Sequence, residues 1–289
     1  WSMATRVIDA TLGQSSGTEP TLAPGKFGDA LPALRNQRIE IPDSAATSPA
    51  GSLTIEAWVN PLTRNNREGR GLPIAVKNGD ADASNRSYGL FIGQEGQLVL
   101  DLRSGSGQQL VSPAGSVPVG QWTHVAGVVD RSGASTVLRL YVNGQLVATR
   151  DLGRVDAWLN TGPLTLGSSS EIGQQDGFEG SIDEFRLWQT ARTAEQIASA
   201  MTAPLAGTEA GLAVYLPLDS VAGSLTPSGL AGGPGGNIIG LYATAAGTWA
   251  GAITVPGQSI SYRFKLDERK VVALDNQGAP YHHLAWRLT

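Results

Sequence analysis

Few groups in this chain are able to do chemistry. There are three histidines, His124, His282 and His283, and no cysteine. Disulfides, thiolate metal sites and a cysteine nucleophile are excluded. Cleavage of a glycosidic bond needs two carboxyl groups in one cleft, and a strand delivers them at alternate positions. Asp183 and Glu184 are consecutive, so a regular strand sends them to opposite faces. Glu40 and Glu56 stand alone in their segments. The chain therefore reads as a non-enzyme. His124 shares a strand face with Trp122, Ala126 and Val128 and reads as a partly buried, satisfied histidine. His282 and His283 are neighbours that cannot easily both face one metal, so they read as surface residues.

Binding groups are more plentiful. One polar segment carries Arg64, Asn65, Asn66, Arg67 and Arg70, and a second carries Asn78, Asp80, Asp82, Asn85 and Arg86. Planar polar groups on loops suit sugar hydroxyls or a glycan carboxylate, although such loops are commonly just solvated. Trp158 sits in a loop and is a ligand candidate, or else a plug for the end of the fold. Trp58 and Trp188 lie on mixed strand faces with Glu56 and Arg186. They read as packing against a covering layer, with a sugar platform as the alternative. If their strands are neighbours, Glu56 and Arg186 face each other. Asp183 alternates with Phe185 and Leu187, which places it at the end of a core-directed row, where a carboxylate needs a partner.

These side chains must be held by strands. Leu53, Ile55, Ala57 and Val59 alternate with Thr54, Glu56 and Trp58, the period of a half-buried strand. Further strands are expected at 38–41, 72–76, 88–92, 97–102, 121–130, 164–166, 181–188 and 212–218. Asn143-Gly144 between the runs 137–142 and 145–149 predicts a type I′ hairpin. One helix is expected over 194–201, with Thr193 and Gln196 forming a capping box. The composition agrees: glycine (37) and proline (16) approach a fifth of the 289 residues, which favours short strands and turns over a helical bundle. The hydrophobic fraction of 41% supports a packed core. A net charge of −4 gives no basic surface for nucleic acid or anionic membrane. No apolar run approaches the roughly 20 residues of a membrane helix, and Trp1-Ser2-Met3-Ala4 does not read as a signal peptide.

Three stretches are expected: an all-β sandwich over 1–220, a Gly/Pro/Ser-rich linker over 221–236, and a small β-rich segment over 237–289. The last, at about 50 residues without disulfides, is small to fold alone. It is expected to lean on the first domain or to bury apolar strands, such as that of Ile260, Tyr262, Phe264 and Leu266, against a partner.

The order of motifs over residues 5–220 resembles bacterial laminin-G-like, concanavalin A-like lectin/glucanase jelly rolls. Gly25-Lys26-Phe27-Gly28-Asp29-Ala30-Leu31 is similar to that family's opening. Ser52–Pro61, Gln121-Trp122-Thr123-His124-Val125-Ala126 and Leu138–Val147 resemble successive strands. Gly180–Trp188 resembles its late acidic strand and Gly211–Asp219 its trailing segment. Residues 237–289 match no family in this way. The resemblance implies a two-sheet antiparallel jelly roll on a secreted or surface protein of bacterial origin. It implies a lectin-like module that binds glycan; the alternative is a structural or protein-interaction domain in a larger assembly, with a cell-surface or protein partner. It also implies a structural Ca²⁺ near Asp183, with Asp9 and Asp29 as candidate further ligands. The other reading of Asp183 is a cap for loop amides.

Overall fold

The computed structural model describes residues 22–33, 38–64, 71–78, 86–102, 107–157, 159–168, 177–220, 225–226, 228–230, 236–243, 248–255, 258–267, 270–274 and 280–287; for 31–33, 225–226 and 236–287 the description is of the backbone. Two antiparallel sheets stack on a common core. The first runs β1 (Ala23–Pro24), β2 (Asp29–Ala33), β13 (Gly180–Trp188), β4 (Leu53–Pro61), β9 (Thr123–Asp130), β10 (Val137–Val142), β11 (Gln145–Asp151), with β14 (Leu212–Leu216) also on β13. The second runs β20 (Pro280–Arg287), β19 (Lys270–Leu274), β18 (Gln258–Asp267), β17 (Thr248–Val255), β16 (Gly236–Ala243), β3 (Arg38–Ile41), β12 (Leu164–Leu166), β5 (Leu72–Asn78), β6 (Arg86–Ile92), β7 (Leu98–Leu102) and β8 (Gln108–Val111), with β15 (Leu225–Thr226) beside β16.

Alternation builds the core. Leu53, Ile55, Ala57 and Val59 of β4 meet Leu90, Ile92, Leu98 and Leu100 of the second sheet in one buried cluster. The β10–β11 turn has Asn143 and Gly144 both at positive φ, 48° and 77°, as a type I′ turn requires. The helix α1 (Ala194–Ala200) is capped as expected: the Thr193 hydroxyl accepts from the Gln196 amide, and the Gln196 side chain accepts from the Thr193 amide.

Three strands that alternation did not reveal, β1, β2 and β8, are short or carry proline. β15 falls inside the Gly/Pro/Ser-rich stretch. The C-terminal strands join the sandwich through β16, whose Asn237–Ile239 pair with Arg38–Glu40.

One expectation is overturned within β13. Ile182 pairs with Val59 and Asp183 with Trp58, but the next register pair is Arg186 with Glu56. Glu184, at φ 53°, and Phe185 form a bulge between them. The extra residue resets the alternation. Ile182, Phe185 and Leu187 enter the core, while Asp183 falls on the outer face beside Trp58 rather than in a core-directed row. Alternation alone cannot show a bulge.

Candidate functional site

The outer face of the first sheet is sealed over β4, β9 and β13. α1 lies over it, and Ile197 packs on Ala126, Val128 and Tyr141. Beneath lie two fully buried carboxylates. Glu56 Oε1 accepts from Arg192 Nη1 at 2.6 Å, and its Oε2 lies 3.4 Å from His124 Nε2. Burial pushes the Glu56 carboxyl up, but His124, Arg192 and Arg186 together hold it below the usual range. Glu184 Oε2 accepts from Arg186 Nη2 at 2.6 Å, and the Tyr215 hydroxyl donates to the same carboxylate at 2.9 Å. Burial nevertheless leaves Glu184 raised. Arg186 also donates to the carbonyl of Ala200, the last residue of α1, and to that of Ala203 just beyond it, and so helps satisfy the open carbonyl end of the helix. Glu56 and Arg186 do stand opposite each other in register, yet each makes its direct ion pair with another residue. Trp58 Nε1 donates to the Met201 carbonyl at 3.1 Å, and Trp188 carries Arg192 over its ring at 3.8 Å. Both tryptophans are therefore packing residues under a cover. His124 is 1% exposed, against the edge of Trp58 at 5.4 Å. No sugar reaches these carboxylates.

The second acidic locus is a gap. β2 and β14 share one edge of β13, β2 pairing with Gly180–Ile182 and β14 with Phe185–Trp188. Asp183 stands between them, at the bulge. Its Oδ2 accepts from the amides of Lys26 (2.7 Å) and Phe27 (3.1 Å), as the capping reading expects. Its Oδ1 is buried without a hydrogen-bond partner. Burial pushes this carboxyl up to about 7; the two amides oppose that, and Glu184 and Asp219 add to it. The nearby Lys26 ammonium lies over Trp58, 4.3 Å from the ring centroid. The second carboxylate is Asp219, whose Oδ1 accepts from the Asp29 amide at 2.9 Å. Asp29 itself contributes its backbone, and its side chain is exposed. Asp9 lies outside the described residues. Among the described residues no group of three or more His, Asp or Glu is arranged to hold a metal. An orphaned buried oxygen beside a second carboxylate still fits a hard cation completed by carbonyls and water.

The outer face of the second sheet is built differently. Arg86 opens β6, pairs with Asp101 of β7, and lies over the Phe91 ring at 4.8 Å. The ring crosses Gly89, where an added Cβ would come within 2.5 Å of Phe91 Cε2. Glycine inside a strand is thus the feature that lets an aromatic lie on the sheet. Half-buried Val99 stands opposite Phe91, and Val111, 47% exposed, is opposite Val99. Phe91 was not foreseen; a glycine two positions before an outward aromatic in a strand is the signal that would have found it.

Beside this platform, one end of the sandwich carries a shallow recess lined by Ser48, Leu53, Ser87, Arg131 and Leu159 among others. Its floor is polar. The buried Lys77 ammonium pairs with Asp43 Oδ1 at 2.6 Å and also donates to the Gly162 carbonyl. Asn160 Nδ2 donates to Ser87 Oγ at 2.8 Å. Burial lowers Lys77, against the pull of Asp43. This lysine anchor fixes the approach to β12.

The sequence-predicted binding residues therefore separate. Arg86 is on the platform. Trp158 and Asn85 lie outside the described residues, although their chain neighbours Ala157, Leu159 and Arg86 border the recess and platform. Arg64 is exposed beyond the Pro61 end of β4. That end pairs with Gly180 of β13, whereas the recess borders Leu53, at the opposite end of β4. Asn65, Asn66 and Arg67, the continuation of that loop, lie outside the described residues. No helix among the described residues is long and apolar enough to cross a membrane.

Structural comparison finds the same sandwich elsewhere. A proposed carbohydrate-binding protein of Bacteroides ovatus superposes with a TM-score of 0.56 and 23% identity, over 72% of this chain and 57% of the other. This chain thus spans little more than half of that relative. The CBM40 of Ruminococcus gnavus IT-sialidase, bound to α2,3-sialyllactose, gives a TM-score of 0.49 and 20% identity, over 58% of this chain and 96% of the other. Domain 4 of AbnA, an extracellular GH43 arabinanase of Geobacillus stearothermophilus in complex with arabinotriose, gives 0.46 and 22%, over 62% and 79%. No curated protein matches. The family model of the concanavalin A-like lectin/glucanases superfamily matches residues 34–198, more than half of the chain. With the stacked antiparallel sheets and their shared core, this makes the chain a member of the concanavalin A-like lectin/glucanases superfamily.

Proposed function

We propose that this chain is a non-catalytic, lectin-like module that binds glycan on the outer face of its second sheet, as part of a secreted or surface protein. The observation that carries the reading is the Phe91 platform. An aromatic ring laid over Gly89, with the Arg86–Asp101 pair at its side, offers a sugar both an apolar face and charged hydrogen-bonding groups. The sealed state of Glu56 and Glu184 supports binding over cleavage, since neither can reach a scissile bond. A glycan array probed with wild type, Phe91→Ala and Arg86→Ala is the test. The expected result is a defined set of glycans retained by wild type and lost by both variants. Binding that survives both changes moves the site elsewhere, and an array without hits favours a structural or protein-docking role.

Asp183 and Asp219 would hold a structural Ca²⁺ in the gap of the first sheet. The ion supplies the positive charge that the buried Asp183 lacks. These residues would tie β13 to the Gly25–Asp29 segment and to the end of β14; the platform is on the other sheet, so a role for the ion in stability follows. Thermal unfolding with Ca²⁺ and with EDTA tests it: the expected result is a lower Tm in EDTA, and an unchanged Tm removes the metal.

A further inference from the structure

The strands β16 to β20 form an antiparallel meander joined to the sandwich at a single short seam against β3. Among the described residues, β17 to β20 make no extensive contact with any element outside the meander. A single layer of strands needs one face buried, and the register says which. Trp249 pairs with Phe264, Gly251 with Tyr262 and Ile253 with Ile260. Leu266 pairs with Val271, and Val271 with Trp286. By the two-residue period of a strand, these positions share one face. The alternate positions hold Arg263, Lys265, Asp267, Lys270 and Arg287. The meander is therefore amphipathic: one face is aromatic and aliphatic, while the other carries these charges together with Val272, Leu274 and Ala285.

The sandwich core does not absorb the apolar face. At the seam Ile238 pairs with Ile39, a core residue, whereas Ile239 pairs with Arg38. Leu241 pairs with Gly251 and so shares the face of Ile239. The apolar side thus continues the outer face of the second sheet, away from the core.

We infer that a second copy of this chain covers this face, meander on meander. Five strands about 4.8 Å apart and about eight residues long at roughly 3.3 Å each present about 600 Å². Two copies together bury about 1,200 Å², which reaches the size of a specific interface. Identical apolar faces are self-complementary about a two-fold axis, and sheets stack in this way at a small crossing angle.

Light scattering after size-exclusion chromatography of the full chain tests this. The expected mass is twice the 30.1 kDa of one chain. Phe264→Glu on the apolar face is expected to give the single-chain mass, and Lys265→Glu, one position along on the charged face, to keep the dimer. Circular dichroism checks that strand content survives. Should Phe264→Glu aggregate, the milder Tyr262→Ser is expected to weaken the dimer tenfold or more on dilution. A full chain that is monomeric at tens of micromolar, an assembly other than a dimer, or a dimer indifferent to Tyr262→Ser overturns the inference.

Discussion

The two sheets present their outer faces on opposite terms. On the first, β4, β9, β13 and β14 contribute polar or aromatic side chains, and α1 with the segment behind it closes over them. Arg186, Glu184, Glu56 and His124 are at most 1% exposed. On the second, around β6 and β7, an aromatic ring and an ion pair lie on the sheet and a valine stands open beyond them. The same alternation of residues thus serves as internal scaffolding on one side and as an open surface on the other. What distinguishes them is whether another element covers the face. Carboxylates that would suggest catalysis in a sequence belong to the covered face, where they hold a helix.

That contrast can be broken in order of effect. Arg186→Ala is expected to act most strongly. It leaves the Glu184 carboxylate buried without its cation and strips the carbonyls of Ala200 and Ala203, a loss of about 3–5 kcal/mol by analogy with broken buried pairs. Denaturant unfolding reads it, and glycan affinity of the folded fraction should stay unchanged. Phe91→Ala should do the reverse. Affinity is expected to fall roughly tenfold or more, since about 0.5–1.5 kcal/mol of aromatic contact is lost on top of the apolar area the ring buries, while Tm hardly moves.

Asp183 gives a pH signature in EDTA. Its carboxyl is raised by burial to about 7 in the folded protein, against 3.8 for the ordinary group. A raised acid favours the protonated folded state, so this group's contribution to stability is full below the unfolded value and is lost as pH rises toward 7. Metal-free wild type should therefore lose stability relative to Asp183→Asn between about pH 4 and pH 7. Parallel stability curves would contradict the burial argument. The smallest effect is expected for Gly89→Ala, whose methyl would displace the Phe91 ring. Calorimetry should show a few-fold loss of affinity, less than Phe91→Ala causes.

Much of this was legible in the residues. The alternation of β4, the Asn143-Gly144 turn and the Thr193–Gln196 cap are local devices, and local devices are written in sequence. The covering of Trp58 and Trp188 also followed from their mixed faces. What alternation could not show depends on contacts distant in the chain. The bulge at Glu184 moved Asp183 from the expected core row to the gap, 157 residues from the Lys26 amide it accepts. The role of Lys77 was hidden, because Asp43 and Gly162 reach it only in the folded chain. Arg86 was singled out for its loop, yet its setting on Phe91 comes from the strand and from a glycine with no side chain.

The account turns on whether the open face, and no other, recognises sugar. The most direct measurement is calorimetric titration of wild type and Phe91→Ala with the best glycan from the array, in Ca²⁺ and again in EDTA below the Tm. The account predicts saturable binding by wild type in both buffers and a roughly tenfold or greater loss in Phe91→Ala. Equal affinity in the two proteins would move recognition off this face, and wild-type binding that vanishes with EDTA while the fold persists would place it at the Asp183 gap; either result contradicts the account.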